Sequence, residues 1–469
     1  MSLYRCVLKS FCAVIVSSTS AFASDGIDGS SFSPLWAFPF MGLLLSIAIF
    51  PLISHPLWEK HQGKIALLWS CLLLVPLTLF VGVNGTLAAL VHTAFLDYIP
   101  FILMLLALFT TAGGIVVRGN LHGAPITNAA LLIIGSILAS IIGTTGASMV
   151  LIRPLIRAND NRQHNVHVVV FFIFLVSNIG GSLTPLGDPP LFLGFLKGVN
   201  FFWTTLNLYR ETLFVGGIVL AIFIALDFYL YHKEGVTRDP TPDTSIRISG
   251  IINLALIACI IASVLMSASW KPGIFVSLAG IPLEGQNIAR DAIMLIVTYA
   301  SLKLTTKIDR IDNGFNWGPI VEVAKLFAGI FVTMIPVIAM LKAGPNGAFS
   351  PLVALVSHSD GMPNTQAYFW LTGILSSFLD NAPTYLVFFE LAGGDAQHLM
   401  NEGTLTLIAI SAGAVFMGAN TYIGNAPNFM VYAIAKDRGI AMPSFFGYMM
   451  WSGAILIPTY LVATFIFFS

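Results

Sequence analysis

The chain has 469 residues, of which 57% are hydrophobic and 9% charged; soluble domains carry roughly 25% charged residues. Lys plus Arg and Asp plus Glu balance at 22 each, which excludes a basic nucleic-acid surface and gives no sign of an acidic-surface partner. Apolar runs near the ~20 residues that cross a bilayer recur throughout, among them LWAFPFMGLLLSIAIFPLI, KIALLWSCLLLVPLTLFVGV, NLALIACIIASVLMSASW and GAILIPTYLVATFIFFS. The runs are continuous rather than alternating, so the expected fold class is an all-α polytopic membrane protein and not a barrel.

In chain order, residues 1–23 read as a signal peptide. Arg5 and Lys9 precede the apolar stretch FCAVIVSSTSA, and Ala21-Phe22-Ala23 offers a small-x-small cleavage site before Ser24. An uncleaved first helix is the alternative. Cys6 and Cys12 fall in this segment and Cys71 and Cys259 in separate predicted spans, so no disulfide framework is expected. An extra N-terminal span occupies 35–60, a first repeat 61–232, a cytoplasmic loop and linking span 233–285, and a second repeat 286–469. Lys60, Lys64, Arg118, Lys233, Arg238, Arg247, Lys303, Lys307 and Arg310 mark cytoplasmic loops. That assignment puts the mature N-terminus outside, which in the expected bacterial inner membrane is the periplasmic side.

Two segments resist a simple count of crossings. Residues 126–158 run from the loop holding Arg118 to LIRPLIRAND, which carries Arg153 and Arg157. Both ends want the cytoplasm, which predicts a re-entrant hairpin turning near GTTGAS. No Lys or Arg occurs between Lys342 and Lys436. Residues 366–390 therefore want both ends outside and predict a second hairpin turning near LDNAP.

The halves align without gaps at an offset of 237. SIIGTTGASMVLI (140–152) pairs with SSFLDNAPTYLVF (377–389), and GSLTPLGDPP (181–190) with GANTYIGNAP (418–427). Gly181, Thr184, Gly187 and Pro190 match Gly418, Thr421, Gly424 and Pro427. The charge pattern gives the halves opposite orientation. Interrupted apolar segments at corresponding positions of inverted repeats point to a transporter binding site near the midplane.

The breaks carry the chemistry. An unpaired backbone group in hydrocarbon costs several kcal/mol, so the Gly and Pro interruptions belong where backbone is buried in protein or lines a wet cavity. Gly181, Gly187, Pro189, Pro190, Gly418, Gly424 and Pro427, with Pro383 at the second hairpin turn, free carbonyls and expose half-helix ends. Freed carbonyls suit a cation and half-helix N-termini an anion, so the breaks alone leave the sign open. Asp188 and Asp380 tilt the choice. A carboxylate near the bilayer centre costs about 2.5–3.5 kcal/mol on insertion scales, and low dielectric favours the neutral form of a carboxyl. Such a group can hold a proton or a sodium ion but not both. Each of the two aspartates can also be read as a helix cap.

Other polar groups carry weaker readings. Glu322 and Lys325 are spaced for an ion pair on one helix face. Asp227 falls near the cytoplasmic end of its span and reads as interfacial, and Glu390 ends its hairpin. Arg153 and Arg157 read as snorkelling to the cytoplasm, with compensation of an anionic substrate as the alternative. His92 and His167 read as membrane-edge residues. No metal-ligand cluster, phosphate loop or nucleophile constellation is apparent, and no enzyme activity or cofactor is expected.

These motifs resemble the ion transporter superfamily, which includes NhaD-type sodium/proton antiporters, citrate and divalent-anion/sodium symporters, and arsenite permeases. GGSLTPLGDPPLFLGF (180–195) is similar to the first broken-helix signature, SSFLDNAPTYLVFF to the second hairpin, and GANTYIGNAPNFM (418–430) to the second broken helix. The resemblance implies two inverted repeats, often in a homodimer, with elevator-like movement of the site. The dicarboxylate symporters carry Ser-Asn-Thr at both hairpin turns, whereas this chain has Gly-Thr-Thr-Gly and Asp-Asn-Ala-Pro, so their carboxylate clamp is not reproduced. The leading expectation is sodium/proton antiport, with Na+ and H+ alternating on Asp188 and Asp380. Asn381, Asn425, Asn420, Thr184, Thr421, Ser182 and Thr144 or Thr145 would complete the coordination. Cation-coupled uptake of citrate or another small organic anion is the second expectation, and arsenite efflux a third.

Overall fold

A computed structural model describes residues 27–235, 244–278 and 280–469. The expected signal segment and Arg238 lie outside the described residues. Among the described residues, eight helical stretches are long and apolar enough to cross a membrane, and the strands form only two-stranded antiparallel ribbons. The protein is an all-α polytopic membrane protein.

The chain enters through α1 (Phe38–Ile53) and α2 (His55–His92), which packs on α1 and breaks at Gly82 (φ 80°). α3 (Ile99–Ala112) follows, and β1 (Val116–Asn120) then leads to α4 (Pro125–Ile142) and α5 (Thr144–Ala158). These two helices pack on one another and meet at Gly143, whose φ of 82° suits a residue without Cβ. α6 (Val166–Leu175) runs into an irregular stretch that ends at Asp188, after which α7 (Pro189–Leu196) resumes. α8 (Tyr209–Glu234) closes this half. β2 (Thr244–Ser249) pairs back on β1, with Val117 opposite Ile248. α9 (Ile252–Ser269) and α10 (Gly285–Leu304) pack together and link the halves, and α11 (Gly318–Lys342) packs on α2. The second half then repeats the pattern. α12 (Thr365–Phe378) and α13 (Asn381–Leu391) meet at Asp380, α14 (Thr404–Met417) breaks at Gly418–Asn425, α15 (Ala426–Asp437) resumes, and α16 (Phe445–Phe467) ends the chain.

The stretch Val166–Leu183 is 89% buried, against 22% for an 18-residue apolar window within Pro56–Ala112. The first broken helix is therefore the centre of the molecule and not a lipid-facing element. Phe171, Phe172 and Phe174 are fully enclosed there, and α6 packs on α4, α8 and α15.

Both breaks have the same local construction. Thr184 donates from Oγ1 to the Ser140 carbonyl and accepts from the Leu186 N–H; Thr421 does the same with the Ser377 carbonyl and the Ile423 N–H. Each of these residues is 237 positions from its counterpart. A Cβ on Gly187 would lie 2.1 Å from the Gly181 carbonyl oxygen, and one on Gly424 would lie 2.5 Å from that of Gly418. Glycine is required at both places because the chain crosses itself there with backbone on backbone.

Two sequence expectations are corrected in this half. Asp227, read as interfacial, is completely buried. It accepts from Arg162 Nη1 at 2.6 Å and from Asn128 Nδ2 at 2.9 Å, and pairs with His167 Nε2 at 3.0 Å. His167, read as a membrane-edge residue, is buried in the same cluster. Proximity to a helix end did not decide the matter. The inward face of α8 meets the α5–α6 connection, and Arg162 supplies the charge that lets Asp227 stay there. Arg162 also reaches Glu234 at 3.2 Å. Breaking a buried pair by removing one partner costs about 3–5 kcal/mol.

Two measurements check this description. Asp227→Ala should lower stability by about 3–5 kcal/mol in thermal or denaturant unfolding of the purified protein. Gly187→Ala should lower it by about 1–3 kcal/mol through overpacking. Gly217→Ala is the control, because nothing lies within 4 Å of a Cβ at that helical position; it should be neutral or stabilising by up to about 1 kcal/mol.

Candidate functional site

The site is built where the two breaks and the two inter-helix turns converge. Asp188 precedes the paired prolines Pro189 and Pro190, whose fixed φ suits the first turn of α7. Its backbone is extended and its side chain makes no capping bond to that helix, so capping is not what the carboxylate does. It is 1% exposed. Oδ1 accepts from Thr144 Oγ1 at 3.0 Å and from Asn425 Nδ2 at 3.1 Å, and Oδ2 accepts from Asn381 Nδ2. All three donors are neutral. Among the described residues no Lys, Arg or His forms an ion pair with Asp188.

Asp188 and Asn425 are counterparts at the offset of 237, and so are Thr144 and Asn381. Equivalent positions of the two halves thus meet on a single carboxylate. The halves are further tied by Asn178, which donates to Asn428 Oδ1 at 2.7 Å, while Asn428 donates to the Gly418 and Thr421 carbonyls at 2.8 and 2.9 Å. Asn178 and Asn428 were missed in the sequence, although each is an amide beside a helix break. The Thr144 N–H donates to the Gly187 carbonyl at 2.8 Å, which seats the α4–α5 turn on the first break.

The other expected residues divide. Asp380 caps α13 by accepting from the Ala382 N–H at 3.0 Å, with Pro383 in the first turn. It also lines two adjoining cavities and lies close enough to Asp188 to repel its charge. Thr145 lines the smaller cavity, of about 90 Å³, beside Gly143, Thr144 and Gly187. Thr184 and Thr421 shape the breaks rather than reach Asp188. Ser182 bonds the Ile179 carbonyl and the Thr212 hydroxyl, and so anchors the first break to α8. Asn420 donates to Ser377 Oγ at 2.9 Å while its Oδ1 has no partner. Asn381 Oδ1 is likewise buried without a donor, which leaves an amide oxygen unsatisfied beside Asp188. Gly424 and Pro427 complete the second break at the start of α15.

The larger cavity, of about 510 Å³, reaches from Asp380 and Asn425 to Arg153, Glu59, Glu322 and Asp437. Arg153 lines this cavity beside Gly314 and Asn316. Arg157, one turn on, donates instead to the Val117 carbonyl at 2.7 Å. The α5 register separates them, since one arginine meets β1 and the other faces inward. Glu322 and Lys325 form no ion pair with one another among the described residues. Glu322 turns to the cavity, and Lys325 lies along Gly63.

Residues 29–468 match the family model CitMHS_2, whose description reads "Putative citrate transport". The chain belongs to the CitMHS_2 family. No curated protein matches it at a significant level. The family match spans both broken helices, and with the apolar helices it makes this CitMHS_2 protein a multi-pass membrane transporter. It agrees with the resemblance drawn from the motifs at the breaks.

Asn381→Ala removes one donor to Asp188 but keeps Thr144 and Asn425. It should lower stability by about 1–3 kcal/mol, as for a hydrogen bond to a charged group, and Thr144→Val should act in the same direction. Unfolding of each purified variant measures the loss, and the double variant should show non-additivity because both bonds end on one carboxylate.

Proposed function

We propose that this CitMHS_2 protein is a secondary active transporter of a bacterial inner membrane that exchanges sodium for protons. The two ions compete for Asp188, with Asp380 beside it. The observation that carries this reading is a fully buried carboxylate held by three neutral donors and, among the described residues, by no cationic side chain. An isolated buried carboxylate costs several kcal/mol, and a proton or a hard cation bound to it removes that cost. Sodium would find oxygen ligands in Asp188 itself, in Asn381 Oδ1, which has no donor, and in the Thr144 hydroxyl. Like charges on Asp188 and Asp380 repel, and a cation or proton taken up between them relieves the repulsion.

The cavity fits this reading. Among the described residues its wall carries Glu59, Glu322, Asp380 and Asp437 against one cationic side chain, Arg153, a balance that draws cations toward Asp380. The α4–α5 and α12–α13 pairs would serve as re-entrant hairpins, and the two halves as inverted repeats. Cation-coupled uptake of a small organic anion is the second reading. The family description favours it, and the absence of a Ser-Asn-Thr clamp counts against it.

The test is sodium-induced proton release from inverted membrane vesicles or proteoliposomes. Wild type should respond to sodium or lithium. Asp188→Asn should lose about tenfold or more of the response, the scale of a lost charged ligand; Asp380→Asn should reduce it. Exchange that ignores sodium and lithium, or that persists unchanged in Asp188→Asn, would remove the proposal.

A further inference from the structure

The Asn425 side chain has a donor end and an acceptor end, and the site uses them differently. Nδ2 faces three acceptors: Asp188 Oδ1 at 3.1 Å, Asn178 Oδ1 at 3.2 Å and the Ser177 carbonyl at 3.2 Å. Oδ1 accepts no hydrogen bond among the described residues. Unlike Asn381 Oδ1 and Asn420 Oδ1, it is not sealed in without a partner. The side chain makes no capping bond to α15, and Asn425 lines both cavities that Asp380 also lines. The oxygen is therefore the polar atom that Asn425 shows to those cavities.

The two ends of an amide are alike in shape, so the donors and acceptors around it decide which way it points. Here the decision starts at the second break. Asn428 gives both of its hydrogens to the carbonyls of Gly418 and Thr421, at 2.8 and 2.9 Å. A carbonyl only accepts, so the Asn428 amide has one direction, and its Oδ1 needs a donor. That donor is Asn178 Nδ2 at 2.7 Å, whose other hydrogen goes to the Ile173 carbonyl at 2.8 Å. With its nitrogen committed twice, Asn178 presents Oδ1 to Asn425, and Oδ1 calls for the NH2 end. Asn178 and Asn428 are fully buried, where each polar group has to be satisfied within the protein. Their positions at the offset of 237 hold Val415 and Leu191, so the repeat does not duplicate this relay. We propose that Asn178 is a positioning residue for the ion site: it holds the Asn425 NH2 toward Asp188 and leaves Oδ1 to the cavity, as an oxygen ligand for a cation bound for Asp188. Three acceptors for two hydrogens also let the NH2 release Asp188 when a proton occupies the carboxyl, with Asn178 and Ser177 still satisfying it. The amide keeps its direction in both loaded states. The role of Oδ1 rests on the exchange reading; the orientation itself does not.

The test is a double-variant cycle on the full-length protein. It is read as sodium KM and maximal rate of sodium-induced proton release in proteoliposomes, and separately as thermal unfolding. Asn178→Leu keeps a similar volume but removes the acceptor from the Asn425 NH2. It should raise the sodium KM about tenfold, the scale of one hydrogen bond to a charged group, and change the maximal rate far less. Because Asn178 acts through Asn425, Asn178→Leu should add nothing to the sodium KM of Asn425→Ala. A merely structural role makes the two effects multiply. Asn178→Ser takes the place of the leucine variant where that one fails to fold. Multiplying effects, an unaltered KM in a folded Asn178 variant, or a loss confined to the maximal rate would overturn the proposal. A wild type without a sodium response removes the exchange reading instead. The unfolding cycle then still decides the orientation: coupling between Asn178 and Asn425 supports it, and additivity overturns it.

Discussion

A carboxylate enclosed in protein within a membrane, with no cationic side chain among the described residues paired to it, organises this molecule. Asp188 receives its hydrogen bonds from a hydroxyl and two amides. Neutral donors orient a carboxylate, but they do not cancel its charge. Asp227 shows the contrasting solution in the same chain. It is equally buried, but Arg162 sits on it at 2.6 Å, and that cluster is a fixed joint between helices.

The enclosure depends on how each broken helix is made. Backbone freed by a break in a membrane has to be satisfied inside the protein. Here a threonine closes each break on a serine carbonyl of the neighbouring helix pair, and a glycine lets the strand of chain cross itself. The break is thus a compact, repeated structure and not a loosened helix. Because Thr144 and Asn381 begin helices at the two turns, the same turns that seat the breaks also deliver the ligands of Asp188.

Much of this was legible in the residues. Glycine and proline inside apolar runs located both breaks, and paired charge signals located both turns to within a residue or two of Gly143 and Asp380. The gapless alignment matched Ser140 with Ser377 and Thr184 with Thr421 before their bonds were known, since local construction follows local sequence. What escaped depends on direction and on distant packing. Asn178 and Asn428 lie 250 residues apart, and a lone amide in an apolar run announces no partner. Asp227 looked interfacial because position along a helix says nothing of what packs on its face. Arg153 and Arg157 are one turn apart on the same helix, and only the placement of β1 decides which of them faces the cavity.

The bond between Asp188 and Asn425 joins a position to its own counterpart in the other half. A carboxylate held by an amide donor cannot arise there while the halves are identical at that position. Two aspartates would confront each other as like charges, and two asparagines would leave the centre without charge. Complementarity at this point therefore requires the two halves to differ there. The asymmetry also fixes which half carries the charge and which half presents the amide, so the halves are not interchangeable in their roles even though their backbones follow one plan.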